Sequence, residues 1–181
     1  MSALELVLAG PQETAAFGAR LGALLRAGDL LVLAGDLGAG KTTLTRGLAE
    51  GLGVRGPVTS PTFVIARVHP SLRGGPPLVH VDAYRLGSLA EVDDLDLDAS
   101  AEQAVTVVEW GRGLVEELAG ERLEVDLLRP HGASGAASDE VPVEPRTVRL
   151  RGIGARWAGL AGDLGLDGGT DPGPGPGPDP V

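Results

Sequence analysis

One glycine-rich stretch, Gly35–Thr42, limits what this chain can fold into more than any other feature. It reads GDLGAGKT and fits the pattern G-x-x-x-x-G-K-[ST]. The apolar run Leu30–Ala34 before it is typical of a strand buried on both faces, and Leu44 and Leu48 after it indicate a helix with one apolar face. A strand, a glycine loop and a helix in this order form a phosphate-binding loop (P-loop). The stretch therefore predicts a site for a nucleoside triphosphate.

The glycines of this loop suit the approach of a triphosphate. Gly35, Gly38 and Gly40 allow turns with positive φ and remove the side chains that would keep backbone N–H groups away from phosphate oxygens. The amino end of the following helix adds unpaired N–H groups and the positive end of its dipole. We expect both groups of donors to face the phosphates.

The polar residues after the glycines carry the rest of the expected chemistry. Lys41 is the single lysine among 15 basic residues, all the others being arginine. Because an ammonium is a compact point charge and a guanidinium a planar fork, a site that accepts only the former explains the exception. We predict that Lys41 reaches the β- and γ-phosphates, that Thr42 binds Mg²⁺ and that the Thr43 hydroxyl points toward the α-phosphate.

Two further apolar stretches end in a carboxylate: LVHVD at Asp82 and VTVVE at Glu109. Ligands of open α/β sheets bind at the carboxyl ends of the strands, so parallel strands would bring both acids to the glycine loop. Because Mg²⁺ keeps several waters, we expect one carboxylate to hold the metal directly or through a water and the other to orient the attacking water. The residues do not assign these two roles. His80 is interpreted as an ordinary strand residue.

Composition excludes several classes of protein. The 181-residue chain has a net charge of −10, which disfavours a nucleic-acid binder that acts alone. The absence of cysteine excludes disulfides, thiolate zinc sites and cysteine nucleophiles. No apolar run is long enough to span a bilayer and the N-terminus has no signal-peptide pattern, so we expect a cytoplasmic protein without a membrane partner.

Alternating strand and helix patterns predict an α/β fold, a P-loop NTPase-like three-layer sandwich with a parallel core and flanking antiparallel strands. Helices are predicted over residues 11–26, 41–52 and 112–119, and short apolar strands over residues 63–68, 78–81 and 104–108. Leu123–Leu128 and Thr147–Arg151 alternate polar and apolar residues and are predicted as antiparallel additions. The predicted domains are an ATPase domain at residues 1–162 and a disordered tail at 163–181. Of the last 14 residues, 10 are glycine or proline. Such a segment has too few apolar side chains to offset the loss of chain entropy on folding.

The phosphate loop indicates a nucleotide but leaves the function open. A regulatory GTPase needs a second lysine in its Asn-Lys-x-Asp signature and is excluded. A small-molecule kinase usually closes an arginine-bearing lid, and the segment Pro130–Pro145 has only Arg146 beside it. A small ATPase that is slow alone and works in a complex therefore leads. The alternatives are a small-molecule kinase and a regulator that binds nucleotide without turnover.

Four segments occur in a fixed order: GDLGAGKTTLTRGL (35–48), SPTF (60–63), HVDAYRL (80–86) and VEWGRGL (108–114). Together they resemble the TsaE family, bacterial ATPases that assist threonylcarbamoyladenosine modification of tRNA. The resemblance covers residues 13–150 and implies a P-loop fold with antiparallel strands beside a parallel core. It also implies ATP hydrolysis that resets a complex of the TsaB and TsaD proteins, which modify the adenosine adjacent to the anticodon. Contact with tRNA would then be indirect.

The resemblance also implies roles for particular residues. It places residues 38–43, including Ala39, on the phosphates, Thr42 and Glu109 on Mg²⁺, and Asp82 as the second acid. Its remaining implied residues are Trp110 beside the active site, Thr62 in a switch-like loop, and Glu13 and Thr14 near the nucleotide base. From the residues alone, Ser60-Pro61-Thr62 is either a loop that senses the γ-phosphate or an ordinary turn.

Overall fold

The structure, a computed structural model, describes residues 2–61, 66–85, 102–116, 119–129 and 144–166. Within these ranges it has seven strands and three α-helices. In chain order they are β1 (Ser2–Leu8), α1 (Pro11–Gly22), β2 (Leu30–Ala34), α2 (Lys41–Leu52), β3 (Ala66–His69), β4 (Leu78–Asp82), β5 (Val105–Glu109), β6 (Arg122–Leu128), β7 (Arg146–Ile153) and α3 (Leu160–Asp163). Short 3-10 helices span Ala83–Arg85 and Ala155–Trp157. Within the described ranges, no helix combines the length and the apolar character that crossing a membrane requires.

The strands form one sheet in the order β1-β7-β6-β2-β5-β4-β3. Strands β4, β5, β2 and β6 run parallel to one another, whereas β3 at one edge and β7 and β1 at the other are added antiparallel. The predicted α/β fold with a parallel core and flanking antiparallel strands is confirmed. Because β2 lies at the centre, the glycine loop that follows it emerges between the carboxyl ends of β5 and β6.

The predicted direction of β6 is wrong. Residues Leu123–Leu128 were expected to be an antiparallel addition, but Leu31 of β2 lies opposite Leu123 in a parallel pair. Only the other neighbour, β7, is antiparallel. The alternation suggested a strand with one face in solvent, but the polar residue Glu124 is buried. Its carboxylate lies between the guanidinium groups of Arg122 and Arg151.

Other predicted boundaries shift by a few residues. The helix predicted over residues 11–26 ends at Gly22. Of the strand predicted over residues 63–68, residues 66–68 lie in β3, and residues 63–65 lie outside the described residues. The predicted helix at 112–119 instead begins with turns at residues 112–114, where Gly113 adopts a φ of 81°. Leu164, just past the predicted boundary of the tail, is buried in the core; residues 167–181 lie outside the described residues.

Helices α1 and α2 cover one face of the sheet and pack on an apolar cluster that includes Leu31, Leu33 and Val107. The opposite face carries a second cluster, around Val32 and Val81, against which residues after β5 pack. The sheet is thus the middle layer. The two buried faces explain why the central strands read as continuous apolar runs.

A glycine seam joins the two helices, formed by Gly18 and Gly22 of α1 and Gly47 and Gly51 of α2. A Cβ atom placed on Gly47 would lie 2.1 Å from the carbonyl oxygen of Ala15, and one on Gly51 would lie 2.0 Å from another α1 carbonyl. The backbones of α1 and α2 are therefore in direct contact. Since α2 begins at the glycine loop, the seam fixes the helix whose amino end forms the site.

Candidate phosphate-binding and catalytic site

The glycine loop between β2 and α2 has the predicted backbone conformation. Gly35, Gly38 and Gly40 have φ values of 142°, 77° and 108°, which confirms the expected positive-φ turns. Gly40 also caps α2 without a side-chain hydrogen bond, so the N–H groups at the start of the helix remain available to an anion. A Cβ on Gly35 would lie 2.3 Å from the Leu127 carbonyl oxygen, so the loop packs tightly on β6.

Lys41 is held at the mouth of the loop with only 5% of its surface exposed. Its Nζ donates hydrogen bonds to the carbonyl oxygens of Gly35 (2.7 Å) and Asp36 (3.0 Å) and lies 3.8 Å from the centroid of the Trp110 ring. Burial lowers the pKa of Lys41, against the opposing effect of the Glu109, Asp82 and Asp36 carboxylates. The ammonium therefore faces three acids while bound to the carbonyls of its own loop.

The Trp110 backbone is held in an unusual conformation directly after β5. Its φ is 63°, a region that costs a non-glycine residue on the order of 1–3 kcal/mol. The N–H of Trp110 donates to the Leu33 carbonyl oxygen at 3.0 Å, and its ring meets that of Tyr84 edge-on, with centroids 5.2 Å apart. This turn at the end of β5 aims the indole ring across Lys41.

The two strand-end acids meet the loop on one side. Asp82 of β4 lies opposite Glu109 of β5 in the parallel register, and both are buried. The Thr42 hydroxyl lies 3.2 and 3.3 Å from the two carboxylate oxygens of Glu109. Asp82 accepts hydrogen bonds from the Ser60 hydroxyl (2.8 Å) and the Tyr84 N–H (3.1 Å). The structure thus brings together the loop and both acids that the sequence pattern singled out.

These groups surround an open cleft of about 520 Å³. Its walls combine the glycine loop and the first turns of α2 with side chains from the ends of β4 and β5. The lining residues are Leu37, Gly38, Gly40, Lys41, Thr42, Thr43, Arg46, Ser60, Asp82, Tyr84, Glu109 and Trp110.

The oxygen atoms at this cleft fit a magnesium ion. A hydroxyl from Thr42 and the carboxylates of Glu109 and Asp82 are hard donors, and Mg²⁺ is commonly held by one or two carboxylates with substrate phosphates and waters completing its shell. Within the described ranges, no group of three or more His, Cys, Asp or Glu side chains is arranged to hold a metal.

Other predicted residues lie around the loop. Thr14 is buried behind it: the hydroxyl donates to the Gly10 carbonyl oxygen at 3.0 Å, and the methyl group lies near Gly40. Glu13 accepts the Ala9 N–H at the start of α1. Ala39 is also buried. Its carbonyl oxygen accepts a hydrogen bond from Arg146 at 3.2 Å. Thr62 lies outside the described residues.

Three polar contacts of the site were missed by the sequence reasoning. Nε2 of His80 lies 2.8 Å from Oε1 of Glu109, Ser60 bonds Asp82, and Arg46 lines the cleft while donating to the Val58 carbonyl oxygen at 2.9 Å. Two of them had a signal in the spacing. His80 lies two residues before Asp82 on a strand, and Arg46 lies one helical turn after Thr42, so each shares a face with a predicted site residue.

Comparison with known proteins agrees with this geometry. A family model described as threonylcarbamoyl adenosine biosynthesis protein TsaE matches residues 8–135. This chain belongs to the TsaE family. The matched range contains the glycine loop, both strand-end acids and Trp110.

Individual relatives extend the match over most of the chain. Proteins named tRNA threonylcarbamoyladenosine biosynthesis protein TsaE are 66% identical in Streptomyces coelicolor, over 78% of this chain and 91% of the relative, and 39% identical in Bacillus subtilis, over 91% and 95%. The crystal structure of Bacillus subtilis YdiB superposes with a TM-score of 0.66 at 34% identity, covering 91% of this chain and 95% of the other. The likeness therefore extends over nearly the whole fold.

Proposed function

We propose that this protein is a Mg²⁺-dependent ATPase of tRNA threonylcarbamoyladenosine biosynthesis that acts in the cytoplasm with TsaB and TsaD partners. One observation carries the proposal: Lys41, Thr42, Asp82 and Glu109 converge on one cleft at the carboxyl end of a parallel sheet. The relatives' names supply the pathway. The net charge of −10 supports indirect contact with tRNA, through the partners.

Binding of ATP uses groups that are already oriented. The N–H groups at the start of α2 and those of the loop that turn toward the cleft would donate to the phosphates, because the positive-φ glycines carry no side chain that blocks the backbone. Lys41 would exchange the carbonyl oxygens of Gly35 and Asp36 for β- and γ-phosphate oxygens, which form stronger, charge-assisted hydrogen bonds. Thr43, which lines the cleft, is proposed to contact the α-phosphate.

Hydrolysis requires charge stabilisation and a positioned water. We propose that Thr42 and Glu109 hold Mg²⁺, because the hydroxyl already lies against that carboxylate. When bound, Mg²⁺ would neutralise charge on the β- and γ-phosphates. Asp82, fixed by Ser60 and the Tyr84 N–H, would then orient the attacking water. Thr62 remains a predicted sensor of the γ-phosphate.

The test compares ATP hydrolysis by the purified protein with and without TsaB and TsaD. We expect slow hydrolysis alone, stimulation by the pair, and loss of both on Glu109→Gln. Formation of modified tRNA is measured in the same mixtures. Efficient phosphoryl transfer to a metabolite without the partners would contradict the proposal in favour of a kinase. Normal tRNA modification supported by Glu109→Gln would instead favour a regulator that binds nucleotide without turnover.

A further inference from the structure

We propose that His80 is a positioning residue that fixes the orientation of the Glu109 carboxylate for ATP hydrolysis. The inference rests on the proposed function, since it assigns His80 a task within that reaction. It goes beyond the phosphate loop and the two acids, because His80 lies beneath the cleft and lines none of it.

The two buried side chains are in hydrogen-bond contact. Nε2 of His80 lies 2.8 Å from Oε1 of Glu109, and the side chains are 0% and 4% exposed. A carboxylate that holds a metal ion accepts hydrogen bonds and donates none, so the proposed role assigns the proton to Nε2 of His80. The bond links neighbouring parallel strands: His80 lies opposite Val107 in the register, and Glu109 follows two residues later on the same face.

Packing alone does not explain a histidine at this position. Every residue of β4 is buried, and the neighbouring positions Leu78, Val79 and Val81 are apolar. Burying an imidazole costs free energy unless its polar atoms are satisfied. Nδ1 of His80 has no hydrogen-bond partner in the described part of the chain, so the fold satisfies only the nitrogen that faces Glu109.

His80 is a second hydrogen-bond donor to the Glu109 carboxylate, after Thr42, and restricts its orientation. The terminal torsion of a glutamate is broad, and Thr42 has a single hydroxyl proton for two carboxylate oxygens at 3.2 and 3.3 Å, so Thr42 alone leaves the carboxylate plane free to turn. With His80 bonded to Oε1 and Thr42 at 3.2 Å from the same atom, Oε1 is anchored on two sides. The two contacts together fix the plane of the carboxylate, which lines the cleft. Groups that orient a metal-binding side chain in this way typically affect metal affinity or activity by about 10–100-fold.

Three substitutions test the role. His80→Gln places an amide N–H near the position of Nε2, His80→Asn offers the same amide on a shorter side chain, and His80→Leu removes the donor at similar volume. With the partners present, we expect kcat for ATP hydrolysis to fall about 10–100-fold in the Asn and Leu variants and to stay within about threefold in the Gln variant. KM for ATP should change little, while the Mg²⁺ concentration at half-maximal rate should rise.

Two measurements separate this inference from the proposed function. Long-range ¹⁵N–¹H correlation spectra of the wild-type protein, which has three histidines, should show His80 protonated at Nε2. In calorimetry, tight binding of ATP by the Asn and Leu variants should require a higher Mg²⁺ concentration than in the wild-type protein, even where no hydrolysis is seen. A wild-type protein that never hydrolyses ATP would defeat the proposed function and leave both results standing.

The role of His80 would be overturned by any of three results. These are a proton on Nδ1 instead of Nε2, a folded Leu variant with wild-type kcat and Mg²⁺ dependence, or a folded Gln variant as impaired as the Leu variant. Melting temperatures of all three variants establish that they are folded.

Discussion

The ammonium of Lys41 is bonded to the carbonyl oxygens of its own loop, and under the proposed function it would exchange them for the phosphates of a bound nucleotide. The Trp110 ring, with its centroid 3.8 Å from Nζ, lies on one side of the ammonium. A group that exchanges one set for the other has to be small and able to rotate. An ammonium has three donors at one point, whereas a guanidinium spreads five over a rigid plane.

We therefore expect Lys41→Arg to reduce ATP hydrolysis by at least about 100-fold although the charge is conserved, because the planar group does not fit beside Trp110. Steady-state kinetics with the partner proteins measures the effect. Arg149→Lys is the matched control, since Arg149 is exposed in an ion pair with Glu5 and should be replaceable without loss. Turnover of the Lys41→Arg variant within threefold of wild type would show that the phosphate-binding loop accepts a guanidinium group.

Chemical labelling reads the same site without turnover. Burial lowers the pKa of Lys41, so a larger fraction of its amine is neutral near pH 8–9 than for an ordinary lysine of pKa 10.5. Besides the N-terminus, Lys41 is the single amine available for acylation. We expect mass spectrometry to find both amines modified and MgATP to protect Lys41 alone. Equal labelling of Lys41 with and without MgATP would place the nucleotide elsewhere.

Among the secondary-structure elements, the contact between α1 and α2 depends most directly on the absence of side chains. Gly47→Ala would place a methyl group 2.1 Å from the Ala15 carbonyl oxygen. Alanine gains about 1 kcal/mol in helix propensity, but overpacking against backbone typically costs about 1–3 kcal/mol more than the unstrained change. We expect the free energy of unfolding, measured by urea denaturation, to fall.

Gly120→Ala is the control for this substitution. A Cβ on Gly120 meets no atom within 4 Å, and the free energy of unfolding should change by less than about 0.5 kcal/mol. Equal effects of the two substitutions would mean that the helices separate readily and that the seam does not fix α2.

The pairing of β6 with β7 predicts a dependence on pH. Burial alone would raise the pKa of Glu124, but hydrogen bonds from Arg151 and Arg122 outweigh it and hold the pKa below its usual 4.5. The unfolded chain therefore binds this proton more readily, and the stabilisation, complete above about pH 4.5, is lost as the pH falls through the lower folded-state value.

We expect the free energy of unfolding of the wild-type protein to fall more steeply below about pH 4.5 than that of Glu124→Gln. Parallel denaturation series from pH 7 to pH 3 give the comparison. Glu5→Gln removes a carboxylate from an exposed pair and should leave the slope unchanged. Identical slopes for wild type and Glu124→Gln would exclude the pair as the source of acid sensitivity.

Elements that depend on local pattern could be predicted from the sequence, and contacts between strands could not. The bounds of β2 and α2 match the prediction because a continuous apolar run and a capping glycine specify them locally. The direction of β6 was predicted wrongly because alternation reports the polarity of one face and not the direction of the neighbour. The bond from His80 to Glu109 needs the register of β4 against β5, which no local pattern contains.

At the scale of the whole molecule, the sheet order places the residues of the candidate site together at the carboxyl ends of the parallel strands. The central strand β2 supplies the loop, and β5 and β4, the next two strands along the sheet, supply Glu109 and Asp82. The antiparallel strands at both sides extend the sheet without contributing any of these groups. Substitutions and deletions far from the carboxyl ends of these strands should therefore affect stability more than catalysis.

The C-terminal region offers a test of this division. Deletion of residues 171–181 should leave the melting temperature and ATP binding unchanged, because the glycine- and proline-rich composition predicts no packed structure there. Truncation before Leu160 should lower the melting temperature by several degrees, since it removes the buried side chains of Leu160 and Leu164. Thermal unfolding of both truncated proteins provides the comparison, and a large loss with the shorter deletion would show that the tail packs on the domain.

The pairing of β1 with β7 has a consequence for synthesis on the ribosome. Ser2 lies opposite Gly152 and Leu8 opposite Arg146, so β1, translated before the other six described strands, pairs with β7, which is translated after them. Until β7 emerges from the ribosome, the nascent chain carries a strand with unpaired backbone N–H and C=O groups, which can pair with another chain and cause aggregation. Closing so long a loop is slow. A chain released before residue 146 would therefore lack β7 and leave both β1 and β6 without their antiparallel partner.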